Sequence, residues 1–521
     1  MAAKVGKESV YAVLFLTFTK YFSTSKHSMI SKNLIKSSLI YTIIGALPLA
    51  SAFFLLLFYT NYLTTSQYGA LVIFVSFTGF MQLLINLGLD TYIGISYFDS
   101  KRDRAVLKSK IGAITGYLLI WGLFVTAIFM LLGENLFSLI FQGKDIFFYP
   151  YGLMSVITAF FNSYFKTYSN LLINQEKPNR FALVSLANFV MTIGFSLSGL
   201  FMFPQTLIGP MWGRLLSGVG IFIIAFFSLN KESSIRIKLG DELKQALNFS
   251  LPLLVFFLFS WSISNIYPFI IKYFMTLQDV AILGLVIQFT LLVEFVLNGL
   301  GSSIQPKIFG LIKDQELTSS TPELNKYFSG FNAFALLVIP ASTFFIPLIL
   351  PFLISKDYDA SFIFLSVLNI GFASRGLFNY FLTPIYLFKK TSVLPKMYLI
   401  TAVVQIIMSV ILIKYFGIWG AVAANLLTKI IQNFLLYLAA RKFFTFRFST
   451  MKFIWLPLIV TVVIIFSEYF ITRHNLHLIR LLQMVFTYLL VYIYYRNEVK
   501  ALYKDLSVKF NFRRMNSVNQ L

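Results

Sequence analysis

The chain contains no cysteine. Disulfides, thiol nucleophiles and cysteine metal centres are therefore excluded. Histidine is nearly absent too. Only His27, His474 and His477 occur, all in loop or tail positions, which argues against a buried histidine metal site. Charge is scarce: Asp, Glu, Lys and Arg make up 12% of residues, against about 25% in an ordinary soluble domain. No Asp-rich metal motif, no G-x-S-x-G and no glycine loop followed by Lys and Ser/Thr is present. No long polar segment interrupts the chain, and the longest connection expected on the outer side runs from about Gly133 to Ile146. A polytopic glycosyltransferase or polymerase carries its chemistry in a substantial loop or domain, so the expectation is a protein that is not an enzyme.

What is present is apolar side chain. Hydrophobic residues are 58% of 521, and the mean hydropathy is +0.78. A soluble core stops growing well before it could hide that much surface. The bilayer must be the solvent for most of these side chains. Apolar runs of helix-spanning length fall at about 38–60, 69–97, 111–132, 147–173, 181–202, 206–229, 248–271, 280–306, 327–350, 361–388, 394–413, 418–440, 453–471 and 477–495. The predicted fold is all-α and polytopic, with about fourteen transmembrane helices.

The 43 Lys and Arg explain the net charge of +23. Thirty-three lie before the first span, after the even spans or in the tail. Six follow odd spans, and four lie deeper than the first turn of a span, cations in a first turn being counted with the connection before them. This asymmetry predicts that both termini and the even connections are cytoplasmic. The positive charge is thus a topology signal that also suits contact with anionic lipid head groups, and nucleic acid is not an expected partner. Within residues 1–28, the apolar stretch Val10–Phe22 is too short to span, and Met29 opens a segment of the kind that starts polytopic proteins. An upstream extension or an interfacial helix is expected there.

A shift of 212 residues places Gln82 on Glu294, Asn86 on Asn298, Asn162 on Ser374 and Lys177 on Lys389. A shift of 211 places Arg214 on Asn425. These offsets predict two similar six-helix halves in the same orientation, as parallel repeats. The expected organisation is a cytoplasmic segment 1–37, an N-lobe 38–229, a linker 230–247, a C-lobe 248–440, two extra helices 441–495 and a basic tail 496–521.

Polar residues recur at helical spacing inside the spans: Gln82, Asn86 and Asp90; Asn162, Lys166 and Asn170; Glu294, Asn298, Ser302 and Gln305; Arg375, Asn379 and Thr383; Asn425, Lys429 and Gln432. Steps of three or four put each set on one helix face. A centred charge facing lipid costs about 2.5–3.5 kcal/mol on insertion scales. The stripes must therefore face one another or water. Arg375 and Lys429 lie near mid-span, while Lys166 and Arg214 lie closer to an interface. These four cations are the candidate anion site, because Arg offers a fork to phosphate and Lys a point charge. Gln82, Asn86, Asn162, Asn298, Asn379 and Asn425 are the candidate polar lining. Asp90 and Glu294 are candidates for H⁺ or Na⁺ coupling, or else fixed partners of the cations. Glu468 is expected to reach the outer interface. No cofactor or metal is called for.

Several segments carry a family resemblance: Leu63-Thr64-Thr65-Ser66-Gln67-Tyr68-Gly69-Ala70 with Leu87-Gly88-Leu89-Asp90, Asn174-Gln175-Glu176-Lys177-Pro178, Leu251-Pro252-Leu253, and above all Lys414-Tyr415-Phe416-Gly417-Ile418-Trp419-Gly420-Ala421. Over roughly residues 31–450 the chain resembles the polysaccharide transporter (O-antigen and capsule flippase) branch of the superfamily that also holds multidrug extruders and lipid II flippases. The resemblance implies two six-helix lobes around a central cavity, with two further helices. It implies a bacterial inner-membrane protein that carries oligosaccharide on undecaprenyl pyrophosphate to the outer leaflet by alternating access, possible contact with other polysaccharide assembly proteins included. A lipid II flippase and a multidrug/cation antiporter of the same fold are the alternatives. Four cations against two deep acids favour an anionic cargo.

Overall fold

The computed structural model describes residues 41, 44–99, 103–142, 145–233, 240–471 and 476–518. The expected extension or interfacial helix before Met29 lies outside them. Sixteen α-helices carry the described chain: α1 Leu47–Tyr62, α2 Thr65–Asn86, α3 Leu89–Asp99, α4 Arg104–Phe141, α5 Tyr151–Asn174, α6 Pro178–Met202, α7 Ile208–Glu232, α8 Asp241–Asn265, α9 Tyr267–Phe274, α10 Leu277–Asp314, α11 Pro322–Ile349, α12 Ser361–Ile370, α13 Arg375–Leu387, α14 Leu394–Ala440, α15 Leu456–Tyr469 and α16 Leu476–Val518. Among the described residues the only extended pairing is an isolated bridge between Ser319 and Thr445. In hydrocarbon every backbone polar group must be satisfied within the protein, and a helix does this segment by segment.

Among the described residues eleven helical stretches are long and apolar enough to cross a membrane. Helix α1 is shorter, and α5 is long but more polar. Helix α14 has 47 residues and breaks at Gly417, whose φ of 58° and ψ of −135° are not helical, so that two helices meet there. Each expected span thus overlaps helix among the described residues, and the chain is a multi-pass membrane protein.

Local sequence sets the ends. Thr64 and Gln67 form a reciprocal capping box at the start of α2, satisfying two backbone donors that a helix start leaves free. Pro178 and Pro322 stand in the first turns of α6 and α11, where the missing N–H costs nothing. Three boundaries differ from expectation. The span at 69–97 is broken where Leu87 (φ 51°) and Gly88 (φ 77°) turn left-handed. The span at 361–388 is interrupted by a 3₁₀ segment, Gly371–Ser374. Helix α4 continues to Phe141, so the loop expected from Gly133 begins only at Gln142.

The chain divides into two compact units, Met1–Gly284 with Tyr398–Gly417, and Leu285–Met397 with Ile418–Leu521. In the first, α5 packs on α2, α3, α4 and α7, and α6 on α7. Gly199 and Gly209 bring α6 and α7 into backbone contact: a Cβ at Gly209 would lie 2.2 Å from the Gly199 carbonyl oxygen. Tyr164 buries its ring between Phe160 and Phe222 and donates to the Thr115 carbonyl at 2.7 Å.

The second unit is built on α11, which packs along α16 and against α12 and α13. A buried polar seam runs down this interface. Asn332 donates to the Tyr495 hydroxyl at 3.0 Å, Gln483 donates to Thr343 at 3.2 Å, and Ser467 donates to Gln483 at 2.7 Å. At its end Arg480 grips Glu468 with two bonds of 3.0 and 2.9 Å. Glu468 therefore does not reach the interface as expected. It lies buried because the α15–α16 hairpin places it opposite Arg480.

Candidate functional site

The first unit gathers Gln82, Asn86, Asp90, Asn162, Lys166 and Asn170 along one seam between α2/α3 and α5. Gln82 donates to the Asn162 carbonyl at 3.2 Å, and Asn86 donates to the Thr167 hydroxyl at 3.3 Å. The break at Leu87–Gly88 restarts the helix just before Asp90, which stands in the first turn of α3. A carboxylate there is favoured by the unpaired N–H groups of the helix start. Asn170 donates to Asp90 Oδ2 at 2.6 Å, and the Lys166 ammonium lies 3.5 Å from the same oxygen. The Asp90 side chain is 3% exposed and that of Lys166 is 36% exposed. The lysine head also lies over the Phe257 ring, 5.7 Å from its centroid. The carboxylate is thus an inner anchor and the ammonium the reachable part.

The second unit gathers Glu294 and Asn298 of α10 with Arg375 of α13 and Lys429 of α14. Arg375 opens α13 directly after the 3₁₀ segment. One of its terminal nitrogens, Nη2, donates to Asn298 Oδ1 at 2.9 Å and reaches Glu294 Oε1 at 3.5 Å. Its Nε has no hydrogen-bond partner. The guanidinium stacks on Phe378 at 4.8 Å. The side chains of Arg375 and Glu294 are 25% and 36% exposed. The Lys429 ammonium lies over Phe372 at 4.8 Å and among the described residues has no carboxylate within 4 Å. Gly371 makes room for it, since a Cβ there would lie 2.6 Å from Nζ. Three of the four in-span cations therefore rest on a Phe face, which compensates a cation in a poorly hydrated setting by about 0.5–2 kcal/mol.

The remaining candidates are less gathered. Arg214 of α7 is half-buried, with its Nε lacking a hydrogen-bond partner and no ion pair among the described residues. Asn379 is half-buried one turn after Arg375, and Asn425 is half-buried one turn before Lys429 with its Oδ1 unpartnered. Among the described residues no cluster of three or more His, Cys, Asp or Glu could hold a metal ion.

Sequence reasoning passed over two buried cations. Lys272 of α9 is almost fully buried and pairs with Asp145 at 2.9 Å. Arg480, in the first turn of the last expected span, lies inside α16 and is 2% exposed. The signal for the second pair was its spacing: Glu468 and Arg480 stand at similar distances on either side of a hairpin turn.

Comparison with known proteins adds a family and a fold. A family model described as polysaccharide biosynthesis protein matches residues 61–362. Among curated protein sequences nothing matches significantly. A structure of the lipid II flippase MurJ in an inward closed conformation aligns with 89% of this chain and 99% of that one, at 17% identity and a TM-score of 0.66. An inward-facing MATE multidrug resistance transporter of the MOP superfamily aligns with 79% of this chain and 98% of that one, at 16% identity and a TM-score of 0.60. A mutant of the Vibrio cholerae MATE transporter VcmN aligns with 79% and 96%, at 14% identity and a TM-score of 0.55.

Proposed function

The chain belongs to the polysaccharide biosynthesis protein family, and from that premise we propose that it is a flippase moving an undecaprenyl-pyrophosphate-linked oligosaccharide from the cytoplasmic to the outer leaflet. The observation that carries the reading is the cation surplus at the half-exposed cluster of the second unit. Glu294 contacts Arg375 alone, at 3.5 Å, and among the described residues Lys429 has no carboxylate within 4 Å. A diphosphate fits this set, with the guanidinium as fork and the ammonium as point charge. Lys166 and Arg214 are the further candidate cations, in the first unit, and the polar residues Asn298, Asn379 and Asn425 of the second would hydrogen-bond sugar hydroxyls. The prenyl tail stays in lipid while the head group passes. The N-lobe (38–229) and the C-lobe (248–440) would alternate access, in a bacterial inner membrane with both termini in the cytoplasm, as the basic even connections favour. Glu294 and Asp90 are the candidates for H⁺ or Na⁺ coupling.

The fold shared with the lipid II flippase MurJ keeps a second reading alive, in which the cargo is the peptidoglycan precursor. A multidrug antiporter would present unpaired carboxylates to a cationic drug. Here Asp90 and Glu294 each have a cation within 4 Å, which argues against it.

The test is genetic. Arg375→Ala and Lys429→Ala are expected to insert normally but to abolish export of surface polysaccharide, with the lipid-linked unit accumulating inside. Normal export by both variants would remove the proposed site. Rescue of cells depleted of their lipid II flippase would move the assignment to the second reading.

A further inference from the structure

We propose that Glu294 is a resident counter-anion, which the phosphate-bearing head group displaces from Arg375. This deepens the reading above and rests on it. The three ion pairs described in the spans differ in kind. Arg480 and Glu468 are joined by two bonds of 3.0 and 2.9 Å, and their side chains are 2% and 3% exposed. In the Lys166–Asp90 pair the carboxylate is buried and further held by Asn170 at 2.6 Å. Both anions are fixed parts of the fold. The contact of Arg375 with Glu294 is single and 3.5 Å long, well beyond the 2.7–2.9 Å usual for a charge-assisted bond. Among the described residues no other hydrogen bond holds the Glu294 carboxylate, and both partners are partly exposed.

The guanidinium itself is held by other means. It stacks on Phe378 and donates to the exposed Asn298 at 2.9 Å. Loss of Glu294 therefore leaves Arg375 in place, with only the donor that faced the carboxylate released. Lys429 packs on the same 3₁₀ segment that leads into Arg375, its ammonium over Phe372 and against Gly371. Two cations and one loosely held carboxylate leave a net charge of +1. A head group carrying two or more negative charges satisfies both cations once the carboxylate swings away, and the returning carboxylate expels it. The repeat does not duplicate this device, because the position equivalent to Glu294 is Gln82, whose amide is committed to the Asn162 carbonyl.

The experiment titrates inorganic pyrophosphate into purified protein in phosphatidylcholine nanodiscs. Glu294→Gln removes the competitor and is expected to bind about tenfold more tightly than the parent, the worth of one charge-assisted hydrogen bond released. Glu294→Asp, one methylene shorter and still further from Arg375, is expected to lie between the two. Glu316→Gln, which removes an exposed acid in the loop after α10, controls for net charge and is expected to match the parent. Arg375→Gln is expected to abolish binding. Equal or weaker binding by both Glu294 variants would mean that the carboxylate positions Arg375, and would overturn the exchange while leaving the flippase reading intact. Unchanged binding by Arg375→Gln would instead overturn the site. Absence of binding in every protein would overturn both. Loss of the Glu294→Gln gain on adding phosphatidylglycerol would assign the cations to bulk anionic lipid and overturn the proposal.

Discussion

Removing Glu468 while leaving Arg480 tests how α15 and α16 are held. Both side chains are buried, the pair is bidentate, and the second terminal nitrogen of Arg480 already lacks a partner. Glu468→Ala leaves a buried guanidinium without its anion. Breaking a buried pair from one side costs about 3–5 kcal/mol, because the surviving charge is uncompensated. At about 1.4 kcal/mol per tenfold, the unfolded or detached fraction rises by a factor of roughly 10² to 10³·⁵. Most of that loss is the stranded charge and little is contact energy. Glu468→Leu combined with Arg480→Met should therefore recover most of the stability, since a packed apolar pair of similar volume often equals a buried ion pair. Reversible denaturation in mixed micelles, followed by circular dichroism, measures all three proteins. A Glu468→Ala variant within about 1 kcal/mol of the parent would refute the reasoning. So would a double variant as damaged as the single one, which would put the cost in packing.

The Asp90–Lys166 pair should respond in one direction. Lys166→Gln strands the buried carboxylate and should destabilise, and adding Asp90→Asn should restore stability, as judged by the same denaturation. Gly209→Ala should cost about 1–3 kcal/mol, since its Cβ would meet backbone of α6 that cannot rotate away. Gly194→Ala, with nothing within 4 Å of its Cβ, should be neutral or slightly stabilising, and equal effects at the two glycines would undo the argument from close approach.

The spans could be read from the sequence because bilayer thickness fixes a length and hydrocarbon fixes a composition, so each apolar run declares a helix. The breaks could not. At Leu87–Gly88 and at Gly371–Ser374 the chain leaves the helix inside an apolar run, where hydropathy does not change and only tertiary packing decides. The same difference separates the polar stripes from their pairing. Spacing put Gln82, Asn86 and Asp90 on one face and Asn162, Lys166 and Asn170 on another. That these faces meet depends on how α5 docks, which one chain's periodicity does not contain. Lys272 and Arg480 were missed because each stands near the end of an apolar run, where a cation reads as belonging to the connection. Pairing then reorders what a deep charge means. Lys166, Lys272 and Arg480 each have a carboxylate that is buried or close, and their charge is cancelled where it lies. Arg375 has one long contact, and among the described residues Lys429 has no carboxylate within 4 Å and Arg214 has no ion pair. Of these three, Arg375 and Lys429 belong to the same unit, on α13 and α14, and that is why the proposed anion site is placed there.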